Sequence, residues 1–318
     1  MAPWRIIFMG TAELACASLR RLCLDPSFRV IAVVTQPDRP KGRELKLQVS
    51  PVKAAALQEN LAVLQPERAR SEPFIAELKD LRPDLIVVAA YGQILPPAVL
   101  EIPPLGCVNV HTSLLPKYRG AAPIQWAILN DESETGVTIM KMDAGLDTGA
   151  VLAQAATPIA PEDDAPSLHD RLARLGADLL VKTLPDYASG KIIPRPQPAA
   201  GATYARKITR EDGRLDWPQP ARALWNRVRA LKPWPGTFTL LPATHKSRLL
   251  KVWCAEIESQ LAGEPGKILR ADQTGIVVGC GQQALRLLEL QLEGGRRLTA
   301  RQFLAGHDLK PGAQLGDP

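Results

Sequence analysis

The sequence predicts an α/β protein in which a Rossmann-like, doubly wound parallel sheet domain is followed by a small β-barrel domain. Short aliphatic runs that alternate with helical patterns predict the first domain. Beyond Tyr204 the pattern changes to short strand-like segments broken by Gly and Pro, which predicts the second. A chain of 318 residues, of which 46% are hydrophobic, is long enough to build two cores.

Hydrophobic periodicity predicts the elements of the first domain. Short apolar runs predict buried parallel strands at residues 6–8, 30–34, 85–90 and 108–111. Apolar residues at helical spacing between them predict helices at residues 14–24, 51–60, 72–81 and 122–130. An alternating strand at residues 136–142 and an amphipathic helix at residues 168–184 follow. Ligands of such sheets bind beyond the carboxyl ends of the strands, so the residues there are the first candidates for a site.

A proline-rich stretch is predicted to join the two domains. Residues 191–198 read Lys-Ile-Ile-Pro-Arg-Pro-Gln-Pro, which cannot continue a helix. We therefore expect a first domain at residues 1–189, a linker at 190–203 and a second domain at 204–318. The second domain is predicted to contain a helix at residues 220–230 and strands at residues 237–241, 249–252, 275–279 and 285–290.

Cysteine and histidine usage argues against a metal site and a disulfide framework. The five cysteines form no C-x-x-C pair, and the four histidines are scattered. The N-terminus lacks the pattern of a signal peptide, and the apolar runs are too short to span a bilayer. We expect a cytoplasmic protein that binds neither a metal nor a membrane.

The net charge of +6 is distributed unevenly along the chain. Acidic and basic residues nearly balance in residues 1–203, so the positive excess lies in residues 204–318. Because phosphate contacts supply most non-specific affinity for nucleic acid, a basic second domain is consistent with a polyanionic partner. A solvated basic surface is an equally good interpretation of charge alone.

Two polar side chains end the strand predicted at residues 108–111. Asn109 and His111 are separated by one residue, so the period of two in a strand puts both on one face. Asp147 follows the next predicted strand and could reach the same sheet edge. Structural hydrogen bonding is the alternative interpretation of such residues, but an amide, an imidazole and a carboxylate together can also stabilise an oxyanion and move protons.

Three segments around these residues resemble those of a known family. Residues 109–111, 113–120 and 143–149 resemble, in order and spacing, the formyltransferases that use 10-formyltetrahydrofolate. Residues 113–124, the loop at 36–43 and the tail of the chain are most similar to the members that act on methionyl-initiator tRNA. The resemblance implies transfer of a formyl group from 10-formyltetrahydrofolate to the α-amino group of that tRNA, an OB-like second domain that holds the tRNA, and a monomer.

The resemblance also implies roles for individual residues. Asn109, His111 and Asp147 would stabilise the oxyanion and move protons. The folate site would be lined by two loops that follow strands, which contain Tyr91, Gln93, Ile94, Leu95, Ser113, Leu114, Leu115 and Pro116. The tRNA and its amino-acyl end would contact Gly10, Thr11, Arg39, Lys41, Arg43 and Lys46, with Arg43 at the family's key basic position.

One of these predicted regions has support beyond the resemblance, and another departs from the family pattern. Long loops inside compact domains are usually functional or mobile, which independently favours a binding role for residues 35–46, although a solvated charged loop is the alternative. The family usually has Thr-Pro-Asp where this chain has Thr11-Ala12-Glu13, so the wall of the amino-acyl pocket departs from the pattern.

Two other functions fit parts of the sequence, and a third is disfavoured. A relative that formylates an amino-sugar nucleotide would share the three polar residues and the barrel, but it would not need the basic loop or the basic second domain. A non-catalytic nucleic-acid-binding protein would not need the three polar residues. An NAD-dependent oxidoreductase is disfavoured, because a single glycine, Gly10, follows the first strand where the dinucleotide fingerprint needs three.

Overall fold

The computed structural model describes residues 2–41, 46–241 and 248–316. The chain divides into two compact units. The first, called here the α/β unit, comprises Met1–Pro123, Glu134–Pro158 and His169–Ala205. The second, the β unit, comprises Ile124–Ser133, Ile159–Leu168 and Arg206–Pro318. None of the helices in the described ranges combines the length and the apolar character that crossing a membrane requires.

The strands of the α/β unit follow the predicted aliphatic runs and add short pairs between them. In chain order they are β1 (Trp4–Gly10), β2 (Phe28–Val34), β3 (Arg39–Lys41), β4 (Lys46–Gln48), β5 (Val63–Leu64), β6 (Leu85–Ala89), β7 (Cys107–His111), β8 (Arg119–Gly120), β9 (Glu134–Lys141), β10 (Val151–Pro158) and β11 (Tyr204–Ala205). Seven of them form the main sheet, in the order β10-β9-β7-β6-β1-β2-β5. The pairs β3-β4 and β8-β11 stand apart from it.

The main sheet is mixed, whereas the sequence pattern predicts a parallel one. Strands β5, β2, β1, β6 and β7 are parallel, but β9 runs antiparallel to β7 and β10 antiparallel to β9. A buried strand presents the same apolar run in either direction, so the pattern cannot give its sense. The antiparallel return aligns Lys141 with Val108, near the start of β7, and residues 142–150 then fold back to β10.

Among the described residues, six helices belong to the first two thirds of the chain. They are α1 (Glu13–Leu24), α2 (Pro51–Gln58), α3 (Glu72–Asp80), α4 (Pro97–Leu100), α5 (Pro123–Leu129) and α6 (Ala165–Ala188). The start of α2 shows how the sequence defines such a boundary: Ser50 accepts a hydrogen bond from the Lys53 amide at 3.0 Å, and Pro51 occupies the first turn, where its missing N–H costs nothing.

The β unit is built on a six-stranded antiparallel sheet. After α7 (Ala221–Ala230), its strands are β12 (Thr237–Leu241), β13 (Arg248–Glu258), β14 (Ile268–Asp272), β15 (Gly275–Gly279), β16 (Ala284–Leu292) and β17 (Leu298–Thr299), and α8 (Ala300–Leu304) follows. Residues of α7, β13, β15, β16 and α8 share one apolar core. The predicted fold class, an α/β domain followed by a small β domain, is confirmed.

Candidate active site

Strand β7 and the loop after β9 bring the three predicted catalytic side chains together. The Asn109 amide nitrogen lies 3.5 Å from Oδ1 of Asp147, and Nδ1 of His111 lies 3.6 Å from Oδ2 of Asp147. Asn109 and His111 share a face of β7, so residues 142–150 must fold across that face for the carboxylate to meet both. The arrangement joins an amide donor, an imidazole and a carboxylate within one polar cluster.

The orientation of His111 follows from its hydrogen bonds. Nε2 lies 2.9 Å from the carbonyl oxygen of Tyr118, which can only accept, so Nε2 carries a hydrogen and donates it. Nδ1 is therefore the ring nitrogen that faces Asp147. Since the imidazole is 6% exposed, its environment is set by these protein groups more than by bulk water.

Asp147 is fixed by its main chain as well as by its side chain. Its Oδ2 accepts a hydrogen bond from the Gly120 amide at 2.8 Å. Its φ of 52° lies in the left-handed region, which Asp and Asn tolerate better than most other residues. Two residues later, a Cβ on Gly149 would lie 1.8 Å from the Lys141 carbonyl oxygen, so only glycine fits there.

Hydrogen bonds from the neighbouring strands hold the loop that follows β7. Thr138 Oγ1 donates to the Ser113 carbonyl at 2.7 Å and accepts from the Leu115 amide at 3.0 Å. Gln154 donates to the Leu115 carbonyl at 2.9 Å. Ser113 is buried and uses its hydroxyl on the Lys117 carbonyl, while Leu114 and Pro116 are half-buried. Two of the four predicted folate-lining residues in this loop, Ser113 and Leu115, are therefore held through their main chain or hydroxyl.

The other predicted folate loop, after β6, has an apolar tip. Ile94 is 83% exposed, whereas Leu95 is buried. Gln93 uses its side chain to brace residues 67–69, accepting from the Ala69 amide at 2.9 Å. The Tyr91 ring is buried in an apolar cluster, and its hydroxyl has no hydrogen-bond partner among the described residues. Burial raises the pKa of Tyr91 to about 12.

The predicted amino-acyl residues lie where β1, β2 and β6 end. Gly10 is tightly enclosed, since a Cβ there would lie 2.8 Å from that of Ala15. Thr11 donates its hydroxyl to the Tyr91 carbonyl at 2.9 Å and accepts from the Gln36 amide at 3.3 Å. These bonds join the three strand ends into one rim of the sheet.

The two short strands β3 and β4, which contain the described cationic residues of the basic loop, pair as a hairpin. Arg39 is exposed, and β3 pairs with β4 so that Lys41 lies opposite Lys46. Arg43, the residue predicted at the key basic position, lies outside the described residues. Near the hairpin, Asp38 and Lys53 form an ion pair at 2.5 Å. The side chain of Gln65 accepts a hydrogen bond from Lys53 and donates one to Asp38. The hydrogen bond from Lys53 holds the pKa of Asp38 below its usual range.

Sequence reasoning missed one side chain that holds the Asp147 loop. Gln197 donates to the main-chain carbonyls of Asp147 and Gly149, both at 2.8 Å, and accepts from Arg119. Gln197 lies in the proline-rich stretch, where no apolar period marks individual positions. Its flanking prolines, which fix an extended backbone, are the one signal that could have drawn attention to it.

Neither a metal cluster nor a cysteine nucleophile marks this site. In residues 2–41, 46–241 and 248–316, no three His, Cys, Asp or Glu side chains are grouped so as to hold a metal ion. Burial raises the pKa of Cys107, at the start of β7, to about 12, so its thiol is not ionised at neutral pH. A cavity of about 480 Å³ opens beside the Asp147 loop, and its lining includes Leu100, Met142 and Asp143.

Comparison with known sequences finds two family matches and full-length relatives. The chain matches the family described as formyl transferase over residues 4–184, and the formyl transferase C-terminal domain over residues 207–308. It is 50% identical over 313 residues to a methionyl-tRNA formyltransferase of Caldanaerobacter subterraneus, covering 98% of this chain and 99% of that protein. The methionyl-tRNA formyltransferase of Geobacter sulfurreducens is also 50% identical, over 317 residues that cover 100% of this chain and 98% of that protein.

Solved structures share the fold at lower identity. An N-formyltransferase from Helicobacter canadensis, in complex with folinic acid and dTDP-3-aminofucose, superposes with a TM-score of 0.67 at 20% identity, covering 90% of this chain and 99% of that one. HypX from Aquifex aeolicus, in complex with tetrahydrofolic acid, gives a TM-score of 0.60 at 20% identity over 95% of this chain. The match covers 47% of HypX, so this chain spans about half the length of that protein.

Proposed function

This chain belongs to the formyl transferase family, and we propose that it transfers the formyl group of 10-formyltetrahydrofolate to the α-amino group of methionyl-initiator tRNA. The observation that carries the proposal is the 50% identity, over nearly the full length of both chains, to proteins named methionyl-tRNA formyltransferase. The amino-sugar alternative has weaker support, because its structural relatives are 20% identical and share the fold alone.

The reaction sets the tasks of the site. The amine nitrogen attacks the formyl carbon, and the carbonyl electrons move onto oxygen to give a tetrahedral centre with an oxyanion. When the carbonyl re-forms, the bond to N10 of the folate breaks. The amine enters as an ammonium and loses two protons in all, N10 takes up one, and one is released. The site must therefore hold an oxyanion and accept protons, and we propose that it does so without a metal.

Asn109 is proposed as the principal oxyanion donor. An amide nitrogen carries two hydrogens, so one can point toward Asp147 while the other meets the developing oxyanion. Its fixed position on β7 means that little reorganisation is needed when the charge develops. Removing one such donor typically costs about 10²–10³ in rate.

His111 and Asp147 are proposed to manage the protons. Because Tyr118 holds Nε2, the proton that His111 exchanges is the one on Nδ1, which faces the carboxylate. Asp147 can then stabilise a charged imidazole that shares the oxyanion, and can accept the amine proton through ordered water. The hydrogen bond from the Gly120 amide keeps one carboxylate oxygen directed into the cluster.

The folate is proposed to bind between the loop of Tyr91, Gln93, Ile94 and Leu95 and the loop of Ser113, Leu114, Leu115 and Pro116. Exposed Ile94 supplies apolar surface at the tip of the first loop, and the hydrogen bonds that hold both loops in place support a preformed pocket. Since the Tyr91 ring is buried, its contribution would come from the main chain and from the position it gives the loop.

The tRNA is proposed to contact two regions. Gly10 and Thr11, at the rim of the sheet, would border the amino-acyl end, and the loop of Arg39, Lys41, Arg43 and Lys46 would contact the acceptor stem. Residues 1–189 would form the catalytic domain, 190–203 the connection and 204–318, with the positive excess, the tRNA-binding domain. We propose that the protein acts as a monomer in the cytoplasm.

A comparison of two acceptors tests the proposed function. The full-length protein is incubated with 10-formyltetrahydrofolate and, in separate reactions, with methionyl-initiator tRNA or a dTDP-amino sugar. Formylmethionine should form in the first reaction and be absent when Asp147→Asn replaces the wild-type protein. Formylation of the sugar alone would favour the alternative acceptor. Tight tRNA binding without turnover on either acceptor would indicate a binding protein.

A further inference from the structure

Gln197 connects the proline-rich stretch to the loop that carries Asp147. Its amide nitrogen donates two hydrogen bonds, to the carbonyl oxygens of Asp147 and Gly149, each at 2.8 Å. Its amide oxygen accepts two more from Arg119, at 3.1 Å from Nε and 2.7 Å from a terminal nitrogen. The amide group of Gln197 thus contacts the loop through its nitrogen and the buried Arg119 through its oxygen.

The loop at residues 143–149 needs an external support of this kind. Inside the loop, Asp143 closes a turn by accepting from the Gly145 amide at 3.0 Å and the Thr148 hydroxyl at 2.7 Å. Most of the loop is exposed, and Asp147 has a left-handed backbone that L side chains adopt at a cost. Hydrogen bonds on either side of Thr148 hold this conformation without using the Asp147 carboxylate.

Arg119 and the flanking prolines fix the direction of the Gln197 amide. The guanidinium is 8% exposed and presents two donors to the same oxygen, so that oxygen must face Arg119 and the nitrogen must face the loop. Pro196 and Pro198 hold the backbone extended on both sides of Gln197. The amide is therefore held in the orientation that donates to the loop.

We propose that Gln197 is a positioning residue for formyl transfer: it fixes the backbone of Asp147 so that the carboxylate meets His111 and Asn109. The proposal rests on the catalytic role of Asp147 proposed above. Misplacing a catalytic group by about 1 Å can cost about a hundredfold in rate. Loss of the two donated hydrogen bonds should therefore slow the chemical step while leaving substrate affinity nearly unchanged.

A tether that merely attaches the proline-rich stretch is the competing explanation, but main-chain bonds already provide the attachment. Arg195 exchanges two hydrogen bonds with Val151, at 2.8 and 2.9 Å. Tyr204 and Ala205 pair with β8, and the Thr203 hydroxyl accepts from the Tyr118 amide at 2.8 Å. The contacts of Gln197 with Asp147 and Gly149 are additional to this attachment.

The substitution Gln197→Glu separates the two functions of the side chain. A carboxylate still accepts from Arg119, now as an ion pair, but it cannot donate to the carbonyl oxygens of Asp147 and Gly149. We expect the single-turnover rate of formyl transfer to fall at least about tenfold. The affinities for tetrahydrofolate and for tRNA should change less than about twofold, and the melting temperature should stay near that of the wild type.

Two parallel variants make the result specific. Gln314→Glu is the matched control, because the Gln314 amide also donates to main-chain carbonyls, those of Pro265 and Leu315, in the β unit. Its single-turnover rate should equal that of the wild type. Asp147→Asn keeps the left-handed backbone acceptable and tests the carboxylate itself. If Asp147→Asn turns over normally, the catalytic assignment fails, and the role of Gln197 fails with it.

The decisive outcome concerns Gln197 alone. A slow Asp147→Asn protein together with a folded Gln197→Glu protein of wild-type rate would overturn the positioning role while leaving the proposed function intact. If the glutamate lowers the melting temperature, the rate is measured with Gln197→Met at a temperature where that variant is folded. A wild-type rate there overturns the inference equally, and a slow rate with unchanged ligand affinity supports it.

Discussion

His111 has one ring nitrogen left for chemistry, because the Tyr118 carbonyl holds the other. That single constraint explains why Asp147 must lie where it does. A carboxylate facing Nδ1 can exchange a proton with it, and a proton on Nδ1 can be shared with an oxyanion or returned to the substrate. The Gly120 amide donates a hydrogen bond to the Asp147 carboxylate, which helps to hold the geometry of the cluster before the substrate binds.

His111→Gln tests this assignment at the level of one side chain. Glutamine fills similar space and can still donate to Tyr118, but it cannot take up or release a proton near neutral pH. Turnover with charged tRNA should therefore fall by at least about a hundredfold. The check is a steady-state formylation assay alongside thermal melting.

The matched control for this substitution is His169→Gln on α6. His169 contacts Asp170 and lies outside the proposed site, so its replacement should leave turnover unchanged. Near-normal turnover in a folded His111→Gln protein would contradict a proton-transfer role and would favour the structural interpretation of the strand-end residues.

The site residues differ in how visible they are in the sequence. Asn109 and His111 could be paired in advance, since the period of two in a strand requires no knowledge of the fold. Their contact with Asp147 depends on an antiparallel return that an apolar run cannot specify. The contact of Gln197 with the Asp147 loop does not follow from the sequence, because its partners there are 48 to 50 residues away and no periodic pattern connects them.

At the scale of elements, those with a periodic apolar pattern are predicted from the sequence, and those without one are not. The long apolar strands and amphipathic helices of the α/β unit were found from the pattern, because burial of one face dictates it. Shorter elements and the edge strand β10 were missed. Helix α8 has five residues and depends on a capping box between Thr299 and Gln302 more than on any periodic face.

The turn before α7 offers a test of how a local ion pair stabilises an element. Asp212 accepts from Arg206, which stacks on the Trp126 ring, and from both the amide and the hydroxyl of Thr209. The hydrogen bond from Arg206 is the largest cause that holds the pKa of Asp212 well below its usual range, and the hydrogen bonds from Thr209 lower it further. Desolvation by burial opposes this shift. The ionised form of Asp212 therefore stabilises the folded state.

Asp212→Asn should accordingly show a penalty that depends on pH. Because the folded-state pKa is depressed, the stabilisation is fully present above the unfolded pKa of about 4 and is lost as the pH falls toward the folded value. Urea unfolding should show a lower free energy of unfolding for the variant at pH 7, and the difference should shrink below about pH 4. Glu211→Gln, at the exposed neighbouring carboxylate, is the control for removing one negative charge from this turn. A penalty of constant size across this range would contradict the ion-pair explanation.

At the scale of the whole molecule, the division of charge matches the proposed division of labour. The reacting groups lie within residues 1–203, where acidic and basic residues nearly balance, whereas the positive excess lies beyond residue 203. tRNA binding that depends on the total charge and tRNA binding that depends on where the cations lie lead to different expectations. If attraction depended on net charge alone, removing the same number of cations from either part would have the same effect.

Two double variants with equal loss of charge distinguish these cases. Arg248→Ala with Arg296→Ala removes two exposed cations that line one cavity of about 250 Å³ in the β unit. Lys182→Ala with Lys191→Ala removes two exposed cations from the α/β unit. Binding of tRNA is measured across a salt series, since each lost phosphate contact lowers the slope of log affinity against log salt by about one.

The arginine pair should weaken tRNA binding and reduce that slope by up to about two, because cations that neutralise phosphates release counterions on binding. The lysine pair should leave both quantities near wild type, although it lowers the net charge equally. Tetrahydrofolate binding should be unaffected in both proteins, which verifies that the α/β unit is intact. Equal effects of the two pairs would mean that tRNA responds to overall charge and would remove the main physical support for a tRNA-binding role of residues 204–318.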